Sequence, residues 1–181
     1  MENTATAAPQ TPTTELPDGA WRVVPEASEL RFAARGMFGL ATVRGEFTSF
    51  DGVIATEGTD ARGELRIDAA SLDTKHAKRD THLRSSDFFH VEDHPTVTFS
   101  LAGLAPRPEG LLHMTGLLTI KETALAIEAP VTATLLDDGR LRLATEVAVD
   151  RAAAGVGWSK MGMIQGKARL SVSVVLERDD F

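Results

Sequence analysis

In Thr123–Leu136, TALAIEAPVTATLL, every second residue from Leu125 to Leu135 is apolar: Leu125, Ile127, Ala129, Val131, Ala133 and Leu135. The alternation returns in RLRLATEVAVD, where Leu141, Leu143, Val147 and Val149 share a face broken only by Thr145. It returns again in KARLSVSVVLERDD, with Ala168, Leu170, Val172, Val174 and Leu176. A sustained period of two describes strands with one covered and one wetter face, because successive side chains of a strand point to opposite sides. Asp137–Arg140, DDGR, separates the first two runs and reads as a hairpin turn.

Shorter alternations precede these. Leu30 and Phe32, Val43 and Phe47, Leu65 and Ile67, and Val97, Phe99 and Leu101 each keep the period. Leu112, Met114, Leu118 and Ile120 do so around Gly116, as Val43 and Phe47 do around Gly45. Isolated glycines within strands point to bends or bulges of the kind a curling sheet requires. The expectation is about eight or nine antiparallel strands closed into a barrel or packed as a sandwich, since open edges invite aggregation.

The 181 residues suit one domain. A net charge of −7 argues against nucleic acid or an anionic membrane surface as a general partner. The chain has no cysteine and so no thiolate, disulfide or cysteine metal site; this fits a reducing compartment. Residues 1–19, rich in Thr, Ala and Pro, lack the charged and apolar regions of a secretory signal and read as a disordered tail before a barrel domain over 20–181. No run approaches the ~18 apolar residues of a membrane span, so a cytoplasmic protein is expected.

Two segments break the period. One is Arg79–Pro95, RDTHLRSSDFFHVEDHP, where Asp80 is placed to cap a short helical turn carrying Leu83, and Ser85 or Ser86 to start another. The other is Arg151–Lys167, whose glycines alternate with Trp158, Met161, Met163 and Ile164, a combination suited to a loop covering a cavity. His90 and His94 have the spacing of a helical zinc pair, but Pro95 disfavours helix there; an extended segment would hold them roughly 13 Å apart, so no metal site is expected. There is no Gly-x-Ser-x-Gly elbow, no tyrosine and no phosphate-cradling glycine loop, and catalysis is not expected.

Binding remains. A barrel of about eight strands either packs solid or encloses one small ligand, and the period alone leaves both open. Strands of about eleven residues would give a lumen some 25–30 Å long, the length of a lipid chain. Burying about ten methylenes yields ~8 kcal/mol gross, corresponding to micromolar affinity before ordering costs.

The stretch RDTHLRSSDFFHVEDHPTVTF resembles the signature of the YceI-like family of lipocalin-like, polyisoprenoid-binding proteins. It carries the Arg79–Asp80 pair, Leu83, Asp87–Phe88–Phe89, Pro95 and Phe99 in order. The resemblance extends through VRGEFTSFDGVI, GLLTIKETA and VDRAAAGVG and covers about residues 21–178. It implies an all-β, antiparallel lipocalin-like barrel of about eight strands, with short helices from Arg79 to Phe89 beside the mouth. The family is often dimeric and holds a long apolar chain in its pore. Two positions depart from the pattern: Glu122 stands where a glycine is common, and Ala154 where an aromatic is usual. Trp158, Met161 and Met163 are expected to fill the space that Ala154 leaves.

The site expected on this basis has a pore wall of Phe32, Phe38, Phe47, Phe99 and Met114. Leu83, Phe88 and Phe89 lie at its mouth, with one phenylalanine facing the pore and the other anchoring the helices, and Trp158, Met161 and Met163 sit in the covering loop. Arg79, His82, Arg84 and Arg151 are headgroup candidates, although Arg79 and Arg151 each adjoin an aspartate and equally suit a structural ion-pair network. The expected function is a non-catalytic carrier, in transport or sequestration, of an isoprenoid lipid or isoprenoid quinone, with no resident cofactor. The alternative is a barrel that positions a quinone or haem for redox chemistry.

Overall fold

The structure, a computed structural model, describes residues 12–36, 41–157 and 166–179. The short strand β1 (Pro12–Thr13) leads to β2 (Gly19–Val23), β3 (Glu29–Gly36), β4 (Ala41–Phe47), β5 (Phe50–Glu57), β6 (Asp60–Asp68) and β7 (Leu72–Asp73). The α-helix α1 (Ala77–Arg84) follows. The chain then runs through β8 (Thr96–Arg107), β9 (Leu111–Ile120), β10 (Thr123–Leu135), β11 (Leu141–Asp150) and β12 (Lys167–Arg178).

Every pairing is antiparallel, and eight strands close a ring in the order β2, β5, β6, β8, β9, β10, β11, β12. The antiparallel lipocalin-like barrel implied by the sequence is thus the fold. The ring closes because β12 divides its free edge. Leu176–Arg178 pair with β2, while Ala168–Ser173 pair with β3, which carries β4 and β7 beyond it. At one end the barrel is therefore a plain ring. At the other, β12 carries a three-stranded flap of β3, β4 and β7, and α1 stands beside it.

The alternation places side chains as expected along β11 and β12. The face holding Leu141, Leu143, Thr145, Val147 and Val149, and the face holding Ala168, Leu170, Val172, Val174 and Leu176, both turn inward. β10 departs at its end, where Leu135 is 46% exposed and Leu136 is buried instead. There the chain leaves the ladder for the Asp137–Arg140 hairpin, in which the Leu136 amide donates to the Arg140 carbonyl at 2.8 Å. Gly139 takes φ 81° in that turn, a backbone state a glycine adopts without a Cβ penalty.

Of the expected tail, residues 12–19 lie on the barrel. Pro12–Thr13 pair with β10, Leu16 packs on the core, and Asp18 accepts from the Gly58 amide at 2.7 Å. Residues 1–11 are outside the described residues.

The core is densest at the plain end of the ring. Trp21, Leu112, Leu141 and Leu176 are each below 2% exposed and close this end from within. The Trp21 indole N–H donates to Thr56 Oγ1 at 3.1 Å, and that hydroxyl donates to the Pro17 carbonyl at 2.7 Å. The one polar group of the plug is thereby satisfied, as a buried donor must be.

Candidate functional site: the barrel lumen and its mouth

Away from the Trp21 end the barrel is hollow. A cavity of about 630 Å³ runs inside the ring, within the 300–1,000 Å³ span of small-molecule sites. Its wall is built from the inward positions of the ladder: Val97, Phe99 and Leu101 on β8, Leu143, Thr145 and Val147 on β11, Leu170, Val172 and Val174 on β12. Trp21, Leu112, Leu141 and Leu176 are absent from this lining, so the cavity stops short of the plug.

An aromatic track leads along the flap. The Phe32 and Phe47 rings lie 5.5 Å apart, and Phe47 meets Phe89 edge-on at 5.9 Å. Phe32 can lie flat because its cross-strand partner is Gly45, where any Cβ would collide with the ring. Phe99 uses Gly116 in the same way, and a bulge between Leu101 and Gly103 sits opposite that glycine. The two glycines therefore make room for rings, and only Gly116 also faces a bulge.

The mouth is framed by the segment from Thr74 to His94. Asp80, which is 7% exposed, accepts from the Thr74 amide at 3.0 Å and from its hydroxyl at 2.5 Å. The Arg79 guanidinium donates to the same hydroxyl at 2.8 Å and to the Thr74 carbonyl at 2.9 Å. Thr74, which the sequence reading missed, is thus the node that ties α1 to the strand before it. No motif marks it; a threonine preceding an Arg-Asp pair is the only available signal. The helix also starts earlier than expected: His76 is its N-cap, accepting from the Arg79 amide, and Asp80 lies inside the first turn rather than at the cap.

The expected second helix is instead a set of turns in which the Ser85 carbonyl accepts from the Phe88 and His90 amides. This turn geometry brings both Phe88 and Phe89 to the cavity, whereas an extended chain would have sent them opposite ways. His82 Nε2 lies 2.8 Å from Asp87 Oδ2, and the His82 ring stands edge-on to Phe88. The Ser85 hydroxyl donates to the His82 carbonyl at 2.6 Å.

Phe32, Phe47, Leu83, Phe88, Phe89, Phe99 and Met114 all line the cavity, with Arg79, His82 and Arg151 at its polar end. Arg84 does not: its guanidinium donates to the carbonyls of Ala70 at 2.9 Å and Leu72 at 2.7 Å, bracing α1 from behind. Phe38, Trp158, Met161 and Met163 lie outside the described residues. Three further cavity-lining cations, Arg31, Arg35 and Lys78, are not among the expected site residues, nor is the aliphatic face of β11 and β12. The alternation had identified that face as covered, without indicating what it faces.

Arg151 donates to the Gly166 carbonyl and to the Arg35 carbonyl, both at 3.2 Å, so it ties the segment after β11 to the tip of β3. Partial burial holds its guanidinium below the usual arginine range, with Asp150 opposing the shift. Among the described residues no three His, Asp or Glu side chains gather as a metal set. The separation argued for His90 and His94 is nonetheless wrong. His90 has φ 48°, the His94 amide donates to its carbonyl at 2.9 Å, and the turn brings their rings to 5.7 Å. Among the described residues no helix is long and apolar enough to cross a membrane.

The sequence and fold have known counterparts. A UPF0312 protein of Ectopseudomonas mendocina is 35% identical over 85 residues, 45% of this chain and 44% of that one. One from Shewanella denitrificans is 35% identical over 97 residues, 52% and 49% of the two chains. The chain thus matches about half the length of these curated relatives. Among solved structures, Burkholderia cenocepacia BcnA superposes with a TM-score of 0.77 at 21% identity, covering 84% of this chain and 98% of its own. A polyisoprenoid binding domain from Saccharophagus degradans, implicated in plant cell wall breakdown, gives 0.73 at 16% identity, covering 88% and 98%. At such identities the likeness is one of fold. The YceI-like domain family model matches residues 21–176, nearly the whole barrel from Trp21 to Leu176, and the chain belongs to that family.

Proposed function

We propose that the protein is a non-catalytic carrier that holds one long-chain amphiphile, an isoprenoid lipid or isoprenoid quinone, in the barrel lumen. The observation that carries this reading is the lumen itself: predominantly apolar along the wall, stopped by the Trp21 plug, and bordered by several cations beside α1 and the tip of β3. A volume of about 630 Å³, at ~30 Å³ per water-sized group, takes roughly twenty chain atoms. A lumen of that size with a largely apolar wall favours an apolar chain over water, which would find few polar partners along that wall. The polyisoprenoid-binding neighbour from Saccharophagus degradans has the same fold and supports the same cargo class. The barrel closes within one chain, so the carrier reading needs no second copy. The pore wall is then Phe32, Phe47, Phe99 and Met114, with Leu83, Phe88 and Phe89 as the lip.

Native mass spectrometry of the purified protein, followed by solvent extraction and lipid analysis, tests the proposal. A stoichiometric long-chain adduct that leaves on denaturation is the expected result. An apo mass unchanged after incubation with geranylgeraniol, its phosphate and an isoprenoid quinone would overturn it.

A further inference from the structure

We infer that the mouth selects an amphiphile with an anionic headgroup, held by Arg35 and Lys78 with Arg151 beside them; this rests on the carrier reading and names the chemistry of its cargo. Acids outnumber Lys and Arg by 26 to 19 in the whole chain. The cavity lining reverses that balance: it holds Arg31, Arg35, Lys78, Arg79 and Arg151 against one carboxylate, Glu64. Glu64 is itself engaged by Arg66 at 2.5 Å and offers little field of its own. An excess of one sign around a low-dielectric opening concentrates the opposite sign there, even on a protein whose net charge is unfavourable.

The cations differ in how free they are. Arg31 pairs with Glu29 at 2.9 Å, and Arg79 is spent on Thr74. Arg35 and Lys78 have no side-chain hydrogen bond or ion pair among the described residues, and both are exposed. They stand on different elements, β3 and α1, and both border the same apolar space. Arg151 fixes the Arg35 backbone by donating to its carbonyl. Its partial burial disfavours its charged form, and a nearby anion would relieve that cost. Two unspent cations flanking an apolar tunnel match a molecule with a long tail and one charged end, through charge-assisted hydrogen bonds. A neutral alcohol or amide would leave them unused.

The test compares geranylgeranyl phosphate with geranylgeraniol, and eicosanoic acid with its methyl ester, by calorimetry on the full chain. Each anion is expected to bind tighter than its neutral counterpart by on the order of tenfold or more, since a hydrogen bond to a charged group contributes about 1.5–3 kcal/mol. A gain for the phosphate alone narrows the site to phosphate; a gain for both assigns it to charge. The Arg35→Glu, Lys78→Glu double variant should erase that preference. Arg169→Glu, an exposed cation outside the lining, should keep it. Neutral ligands binding as tightly as anions would overturn the headgroup assignment and leave the carrier reading intact. Failure of all four ligands would overturn both. A double variant that weakens the neutral and anionic members equally would also overturn it, by showing that the two cations support the tail's seat and not its head.

Discussion

The two ends of the barrel are built from the same strands with the same alternation, yet one is solid and the other hollow. β12 shows the change within a single strand. Leu176 is fully buried, Val174 is nearly so, and Val172, Leu170 and Ala168 are only half-buried while still facing inward. β11 begins the same way, with Leu141 at 0% and Leu143 at 7%, then opens at Thr145 and Val147. The difference lies in what crosses the ring. At one end Trp21 fills it; at the other β12 pairs with β3 in place of β2, and the space is bordered by α1 and by Phe88 and Phe89 in the turns after it. A strand sequence specifies which face is inward, and the closure of the ring decides whether that face meets side chains or a cavity.

The contrast makes its largest prediction on β12, where one substitution can be made at both ends. Leu176→Ala should cost about 2–5 kcal/mol of unfolding free energy, because it removes a methylene-rich side chain from a close-packed layer that collapses poorly. Leu170→Ala should cost about 1 kcal/mol, since that side chain already borders empty space on one side and has fewer contacts to lose. Urea unfolding of the two variants checks this, and equal losses would mean that the lumen is not hollow in solution.

The frame beside the mouth comes next. Asp80→Ala leaves the buried Thr74 amide without its acceptor and releases the hydroxyl that also receives Arg79. A cost of about 1–3 kcal/mol is expected from the unsatisfied donor. Hydrogen exchange should show the loss concentrated in α1 and the following turns, with the Trp21 end unchanged; protection lost evenly across the barrel would mean that the two ends unfold as one unit.

Filling the hollow end reverses the usual penalty for overpacking. Val172→Phe adds volume where there is space for it, so stability should move by no more than about 1 kcal/mol, against the 1–3 kcal/mol typical of a full core. Binding of a long-chain ligand should fall sharply in the same variant. A large destabilisation without loss of binding would place Val172 in packed core.

Much of this architecture was legible in the sequence, and the gaps share a cause. Period two marked the inward faces of β11 and β12, and of β10 as far as Ala133, because alternation is fixed by the strand itself and fails only where Leu135 leaves the ladder. It could not separate Leu176 from Leu170, since filled and hollow are properties of the closed ring. Phe88 and Phe89 were located but misdirected, because a turn held by the Ser85 carbonyl has no period to read. Thr74 went unseen for a related reason: its role depends on Asp80 and Arg79 folding back over several residues, and its identity alone carries no such signal. Arg35 and Lys78 look like ordinary surface cations until the cavity is drawn between them.

The smallest expected effect concerns one solvent-accessible carboxylate near each end. By the flap, Asp73 lies below the usual carboxylate range, chiefly through its hydrogen bond from the Lys75 ammonium and also from the Lys75 amide. In the hairpin beside Leu141, Asp138 is lowered by Arg140 in the same manner. A folded-state pKa below the unfolded value contributes stability that is present above the unfolded value, near 3.9, and is lost as pH falls through the folded one. Both contributions should therefore persist through neutral pH and disappear only under acid conditions below about pH 4. Asp73→Asn and Asp138→Asn should each flatten the acid limb of a stability–pH curve slightly while leaving the neutral plateau almost unmoved, as solvent screens both pairs. If the ends open independently, acid should expose α1 before the Trp21 layer, and Asp73→Asn should alter that first step while Asp138→Asn does not. Hydrogen exchange followed down the acid range reads the two steps separately, and a single transition that both substitutions shift alike would make the barrel one cooperative unit despite its hollow end.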